Sequence, residues 1–188
     1  MIRWLINFLL IALLSTTPAV MASEAQLVED MQAGNVVLMI RHALAPGVGD
    51  PDEFDVNDCS TQRNLSDEGR AQARSIGDWL RSKGIDNARV YSSQWCRCME
   101  TAELMNVGEV KPLTPLNSFF EQRHHQQRYL SDLRTFIKNN TSPGELIIMV
   151  THQVTISGIT GKWTDSGHGK LVRPNEKGQI ELLGELSF

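Results

Sequence analysis

Two stretches of this chain are apolar without a break and then run into a histidine. Residues 36–40 (VVLMI) lead into Arg41-His42, and residues 146–150 (LIIMV) lead into Thr151-His152. Uninterrupted apolar runs of this length, without in-out alternation, are the pattern of strands buried on both faces of a sheet. ARVYSS (88–93) reads as a shorter strand. EVKPLTPL (109–116), with two prolines, reads as an edge strand. KLVRPNEKGQIELLGEL (170–186) reads as a terminal hairpin that turns near residues 175–178.

Helical spacing fills the gaps between these runs. SEAQLVEDMQAG (23–34) is a short helix closed by Gly34. LSDEGRAQARSIGDWLRSKG (65–84) places Gly69, Ala73, Ile76 and Leu80 on one face. Ser66 is its N-cap, Asp67 and Glu68 suit the positive end of the helix dipole, and Gly84 ends it. QWCRCMETAELMN (94–106) is a second helix. QQRYLSDLRTFIKNN (126–140) is a third, with Tyr129, Leu133, Phe136 and Ile137 inward. Alternating strands and helices predict a three-layer α/β/α fold with a mostly parallel central sheet. Ligands of such sheets bind beyond the carboxyl ends of the strands, where His42 and His152 both fall.

Residues 43–64, between the first strand and the helix that follows, form a long loop rich in Gly, Pro, Asp and Asn. A loop of that length in a compact domain is usually functional or mobile.

The amino terminus changes the picture of location. Arg3 is followed by WLINFLLIALL, too short to span a bilayer comfortably. Small residues come next, with Val20 and Ala22 at the −3 and −1 places of a cleavage site. Residues 1–22 are expected to be a signal peptide and residues 23–188 a single domain in the periplasm, with no stable membrane insertion after cleavage. An uncleaved anchor is the alternative. The net charge of −4 and the lack of a basic run give no support for nucleic-acid binding. In an oxidising compartment the three cysteines, Cys59, Cys96 and Cys98, are expected to give one disulfide and one spare thiol.

Four segments then carry a resemblance: RHA (41–43), LSDEGRAQA (65–73), YSSQWCRCMETA (91–102) and VTH (150–152). In this order the chain resembles the histidine phosphatase superfamily, the phosphoglycerate-mutase-like group, and within it the small phosphatases. The resemblance implies a phosphoric monoester hydrolase with His42 as nucleophile and a phosphohistidine intermediate. It implies that Arg41, Arg97 and His152 hold the phosphoryl oxygens, with no cofactor and no metal. Forked guanidinium donors suit that task better than lysine. A proton donor is expected between the second arginine and the second histidine, where Glu121 is the candidate. Asp50, Asp52, Glu53, Asp55 and Asp58 in the first loop are its rivals, although their number suggests a solvated loop. Gly47 is expected to offer its backbone N–H to phosphate and His124 to contact substrate. Ala45 and Val48 stand where mutase-like members carry Thr and Asn, which argues against mutase activity.

Cys96 and Cys98 flank Arg97, about 200° apart on a helix. Cys98 shares the side of Ala102 and Met105, so Cys59 is expected to pair with Cys96, with Cys98 as the alternative. The partner is expected to be a small phosphorylated substrate or a phosphate group of the cell envelope. A noncatalytic phosphate- or phosphosugar-binding protein on the same fold is the competing reading.

Overall fold

The structure, a computed structural model, describes residues 22–188. The expected signal peptide, residues 1–22, lies outside the described residues except for Ala22. A six-stranded sheet runs in the order β3-β2-β4-β1-β5-β6. Its strands are β1 (Val36–Arg41), β2 (Arg89–Ser92), β3 (Val110–Pro112), β4 (Leu146–Thr151), β5 (Gly169–Pro174) and β6 (Ile180–Leu186). The first four are parallel; β5 and β6 form an antiparallel hairpin against β1.

The unbroken apolar runs are explained by the layers. Val36, Leu38 and Ile40 of β1 and Leu146, Ile148 and Val150 of β4 pack on one side. There they meet α1 (Glu24–Ala33), α2 (Asp67–Ser82) and α3 (Cys96–Met105). Val37, Met39, Ile147 and Met149 face the other side, against α4 (Gln126–Asn140) and α5 (Gln153–Thr160). With both faces covered, successive residues of a central strand must all be apolar. Ser23 and Ser66 cap α1 and α2 through their side chains. Asn106, in the left-handed conformation, ends α3.

Two elements differ from the sequence expectation. QVTISGIT forms α5, which the spacing did not predict. It is short and rich in β-branched residues, so neither period nor propensity marks it. EVKPLTPL yields only three strand residues before a 3-10 turn at Thr114–Leu116, because its prolines end the ladder.

Register sets the site. Arg41 of β1 pairs with Thr151 of β4, and Ser92 of β2 with Val150. The ladder continues one residue further: His42 N–H donates to Thr151 O, and Ser93 N–H to Val150 O, both at 2.9 Å. His42, Ser93 and His152 therefore leave three neighbouring strands at the same edge.

Candidate active site

His42 leaves the rigid end of β1 and is 2% exposed. Its Nδ1 lies 2.8 Å from the carbonyl oxygen of Ala43, which only accepts, so Nδ1 carries the proton and Nε2 the lone pair. The Ala43 peptide is itself fixed: its N–H donates to Thr101 Oγ1 at 3.1 Å, and the Thr101 hydroxyl donates to Arg97 O at 2.6 Å. Thr101 thus links the backbone beside His42 to α3. Burial, then the charge of Arg97, lowers the His42 pKa to about 3.

His152 is the N-cap residue of α5 and is 4% exposed; its ring lies 5.6 Å from that of His42. Its Nε2 is 2.9 Å from Ser93 Oγ. The Ser93 hydroxyl donates to Asn117 Oδ1, an atom also fixed by the Gln94 N–H. Ser93 therefore accepts from His152 Nε2–H, which leaves Nδ1 as the ring atom still without a partner. Burial first, and Arg97 second, push the His152 pKa well below its ordinary value. A bound dianion acts in the opposite sense and favours the imidazolium.

Arg97 sits in the first turn of α3 and is 3% exposed. Its Nη1 and Nη2 donate to Asp50 Oδ1 and Oδ2 at 2.7 and 3.0 Å, and Nη1 also donates to Arg63 O at 3.1 Å. Arg41 Nη1 donates to Thr164 O at 3.1 Å. The Nε atoms of both arginines are buried without a hydrogen-bond partner. Such orphans are rare, and each asks for an acceptor.

These groups share one cavity of about 190 Å³. It takes in Arg41, His42, Gly47, Arg97, Glu121 and His152. Gly47 adopts a φ of 97°, a conformation open to glycine at little cost. Glu121 stands at the exposed mouth, where its carboxylate accepts from Asp50 N–H at 3.3 Å. His124 is not brought in. The 3-10 turn Arg123–His125 carries it away, its ring against His125 and its edge along a separate surface groove.

The 43–64 loop is tied down rather than loose. Cys59 is bonded to Cys96, and Cys98 is free and buried. Trp95, the N-cap residue of α3, has no side-chain cap bond. Gln62 supplies one from the loop, its Oε1 accepting from Cys96 N–H at 2.9 Å. Phe54 stacks on Trp95 with centroids 4.8 Å apart. The loop acids, expected to be solvated, divide. Asp55 and Asp58 satisfy backbone N–H groups inside the loop. Asp50 is buried, its side chain 6% exposed.

Sequence reasoning missed Arg63 and the buried role of Asp50. Arg63 donates to Gly49 O and to Ala45 O and lines the cavity as a third cation. Both residues lie in an aperiodic loop, where nothing in the spacing marks a buried side chain. LSDEGRAQA proves to be scaffold, as expected: a methyl group on Gly69 would collide with the Leu44 carbonyl. Gln72 bridges Leu44 N–H to Ser166 O.

No curated protein sequence matches the chain. Among solved structures it is similar to the protein histidine phosphatase SixA complexed with tungstate, at 15% identity and a TM-score of 0.57 over 81% of this chain and 96% of that one. It is also similar to a phosphoserine phosphatase from Entamoeba histolytica, at 14% identity and a TM-score of 0.59, over 81% and 97%. A third is the alpha-ribazole phosphatase from Shigella flexneri, at 14% identity and a TM-score of 0.55, over 78% and 94%. At these identities the structures speak for the fold alone. Residues 37–126 match the family model described as histidine phosphatase superfamily, branch 1. That match takes in RHA and the Arg97 helix, and the second histidine joins them at the same sheet edge, so residues 37–126 are similar to the histidine phosphatase superfamily.

Proposed function

We propose that this protein is an exported phosphomonoesterase that works through a phosphohistidine on Nε2 of His42. The observation that carries this reading is the pair of orphaned, buried Nε–H donors on Arg41 and Arg97, in one cavity with a neutral imidazole. A tetrahedral oxyanion satisfies all of these groups at once. In the first step the Nε2 lone pair attacks phosphorus and the P–O ester bond breaks. The arginines, with the N–H of Gly47 and a protonated His152, hold the nonbridging oxygens. The departing alkoxide takes a proton from Glu121. In the second step Glu121 takes a proton from water, whose oxygen attacks phosphorus, and the P–N bond breaks to return His42 and inorganic phosphate.

The Cys59–Cys96 bond fits an oxidising compartment, as the amino-terminal sequence does. The cavity mouth bears on the substrate. Val48, Phe120 and Trp163 line it, and they are three of the four exposed large apolar residues described. This favours a phosphate ester whose alcohol carries apolar surface. Residues 23–188 should hydrolyse p-nitrophenyl phosphate, and His42→Ala should abolish the reaction. Binding of inorganic phosphate without any turnover would instead establish a noncatalytic phosphate-binding protein.

A further inference from the structure

The Arg97 guanidinium has two usable edges, and the structure fills only one. Its five N–H groups are accounted for individually. Nη1 uses both hydrogens, on Asp50 Oδ1 and Arg63 O. Nη2 uses one, on Asp50 Oδ2, and Nε uses none although it is buried. The Asp50 carboxylate therefore grips the end-on edge, Nη1 and Nη2. The side-on edge, Nε and the second hydrogen of Nη2, remains as a free two-pronged fork.

Asp50 is built to stay in place. Beyond Arg97, its Oδ2 accepts from Trp95 Nε1–H at 3.0 Å and its Oδ1 from Arg63 N–H at 3.1 Å. Its peptide N–H donates to Glu121. Burial opposes its charged form, but the hydrogen bonds and charge of Arg97 outweigh it, and the carboxyl stays below its ordinary pKa. It is an ionised acceptor with both oxygens occupied, which removes it from the rival proton donors.

We propose that Asp50 is a positioning residue for catalysis: its end-on bidentate bond locks the Arg97 guanidinium so that the side-on fork is aimed at the phosphoryl oxygens. A free arginine has several rotatable bonds, and a fork must be held within fractions of an ångström to stabilise a transition state. The carboxylate also offsets part of the repulsion among Arg41, Arg63 and Arg97, which share the cavity. This inference rests on the phosphatase reading but fails separately from it.

The test is a double-mutant cycle on residues 23–188, with p-nitrophenyl phosphate as substrate and vanadate and inorganic phosphate as inhibitors. Asp50→Asn places an amide N–H against Nη2. It should lower kcat by roughly 10²-fold, the size of losing one oriented donor, with a smaller change in KM. Vanadate, which mimics the five-coordinate state, should lose more affinity than phosphate. In an Arg97→Lys background the same change should cost little more, because Asp50 acts through Arg97. Asp52→Asn, an exposed acid of the same loop, should match wild type. If Asp50→Asn fails to fold, Trp95→Phe removes one donor to Asp50 and should shift kcat and vanadate affinity in the same direction. Faster turnover or tighter phosphate binding in Asp50→Asn would show a carboxylate that competes with substrate, and would overturn the proposal. So would a full, additive loss in the Arg97→Lys background. A wild type that hydrolyses nothing strikes the phosphatase reading itself. Vanadate and phosphate binding by calorimetry still tests the fork in that case.

Discussion

His42 Nδ1 and the carbonyl oxygen of Ala43 lie 2.8 Å apart, and this contact fixes which nitrogen of the imidazole keeps the lone pair. With Nδ1 protonated, the proposed attack on phosphorus falls to Nε2. Brief exposure to a phosphorylated substrate, quenched in base, should trap an acid-sensitive label on Nε2 of His42. The label should be absent from His42→Ala. A phosphate found on Nδ1, or on another residue, would contradict the assignment.

Two buried neutral histidines should make the fold sensitive to acid. The His42 pKa falls from the model-compound value of 6.5 to about 3, and the His152 pKa is also lowered. A depressed folded-state pKa means that the unfolded chain binds more protons in this window. The stabilisation is complete above about pH 6.5 and is lost as pH falls toward 3. Thermal unfolding in phosphate-free buffer should show Tm dropping across this range. His42→Asn should give a shallower acid limb; an unchanged slope would refute the contribution of His42.

Arg97→Lys keeps a charge but loses the fork. With the Nε–H gone, kcat should fall by roughly 10²–10³. Steady-state kinetics at saturating substrate measures it, and wild-type turnover would rule out the clamp.

The Cys59–Cys96 bond spans a sequence separation of 37 residues and joins the loop after His42 to the helix of Arg97. Chain-entropy reasoning gives it about 4 kcal/mol. Cys59→Ser should show that loss in urea unfolding and should also lower activity, because Asp50 and Gln62 depend on the loop. Cys98, buried and pushed up to about 12, should resist alkylation in the native protein. Free Cys59 in natively purified, unreduced protein would dispose of the bond.

Trp163 is 63% exposed at the cavity mouth, and the Arg41 guanidinium lies over its ring at 5.8 Å. Trp163→Ala should raise KM several-fold for an aryl phosphate and leave glycerol phosphate nearly unchanged. Equal effects on both would mean that the mouth does not read the alcohol.

The chain's own pattern determined a good deal of this. Unbroken apolar runs ending in Arg41-His42 and Thr151-His152 dictated buried central strands, because a strand covered on both faces has no room for alternation. The helix cap at Ser66 and the side of α3 taken by Cys98 followed from local backbone geometry and from a 3.6-residue turn. Tertiary structure alone decided what the 43–64 loop does. A loop has no period, so nothing in its sequence separates Asp50, locked on Arg97, from Asp52, in solvent. Nor does it mark Arg63 as a third cation, or show that His124 turns away from the cavity that takes in Glu121. Those outcomes depend on how a loop of fixed length folds back over the edge of the sheet. There, contacts between residues far apart in the chain set burial, charge pairing and the one free edge of Arg97.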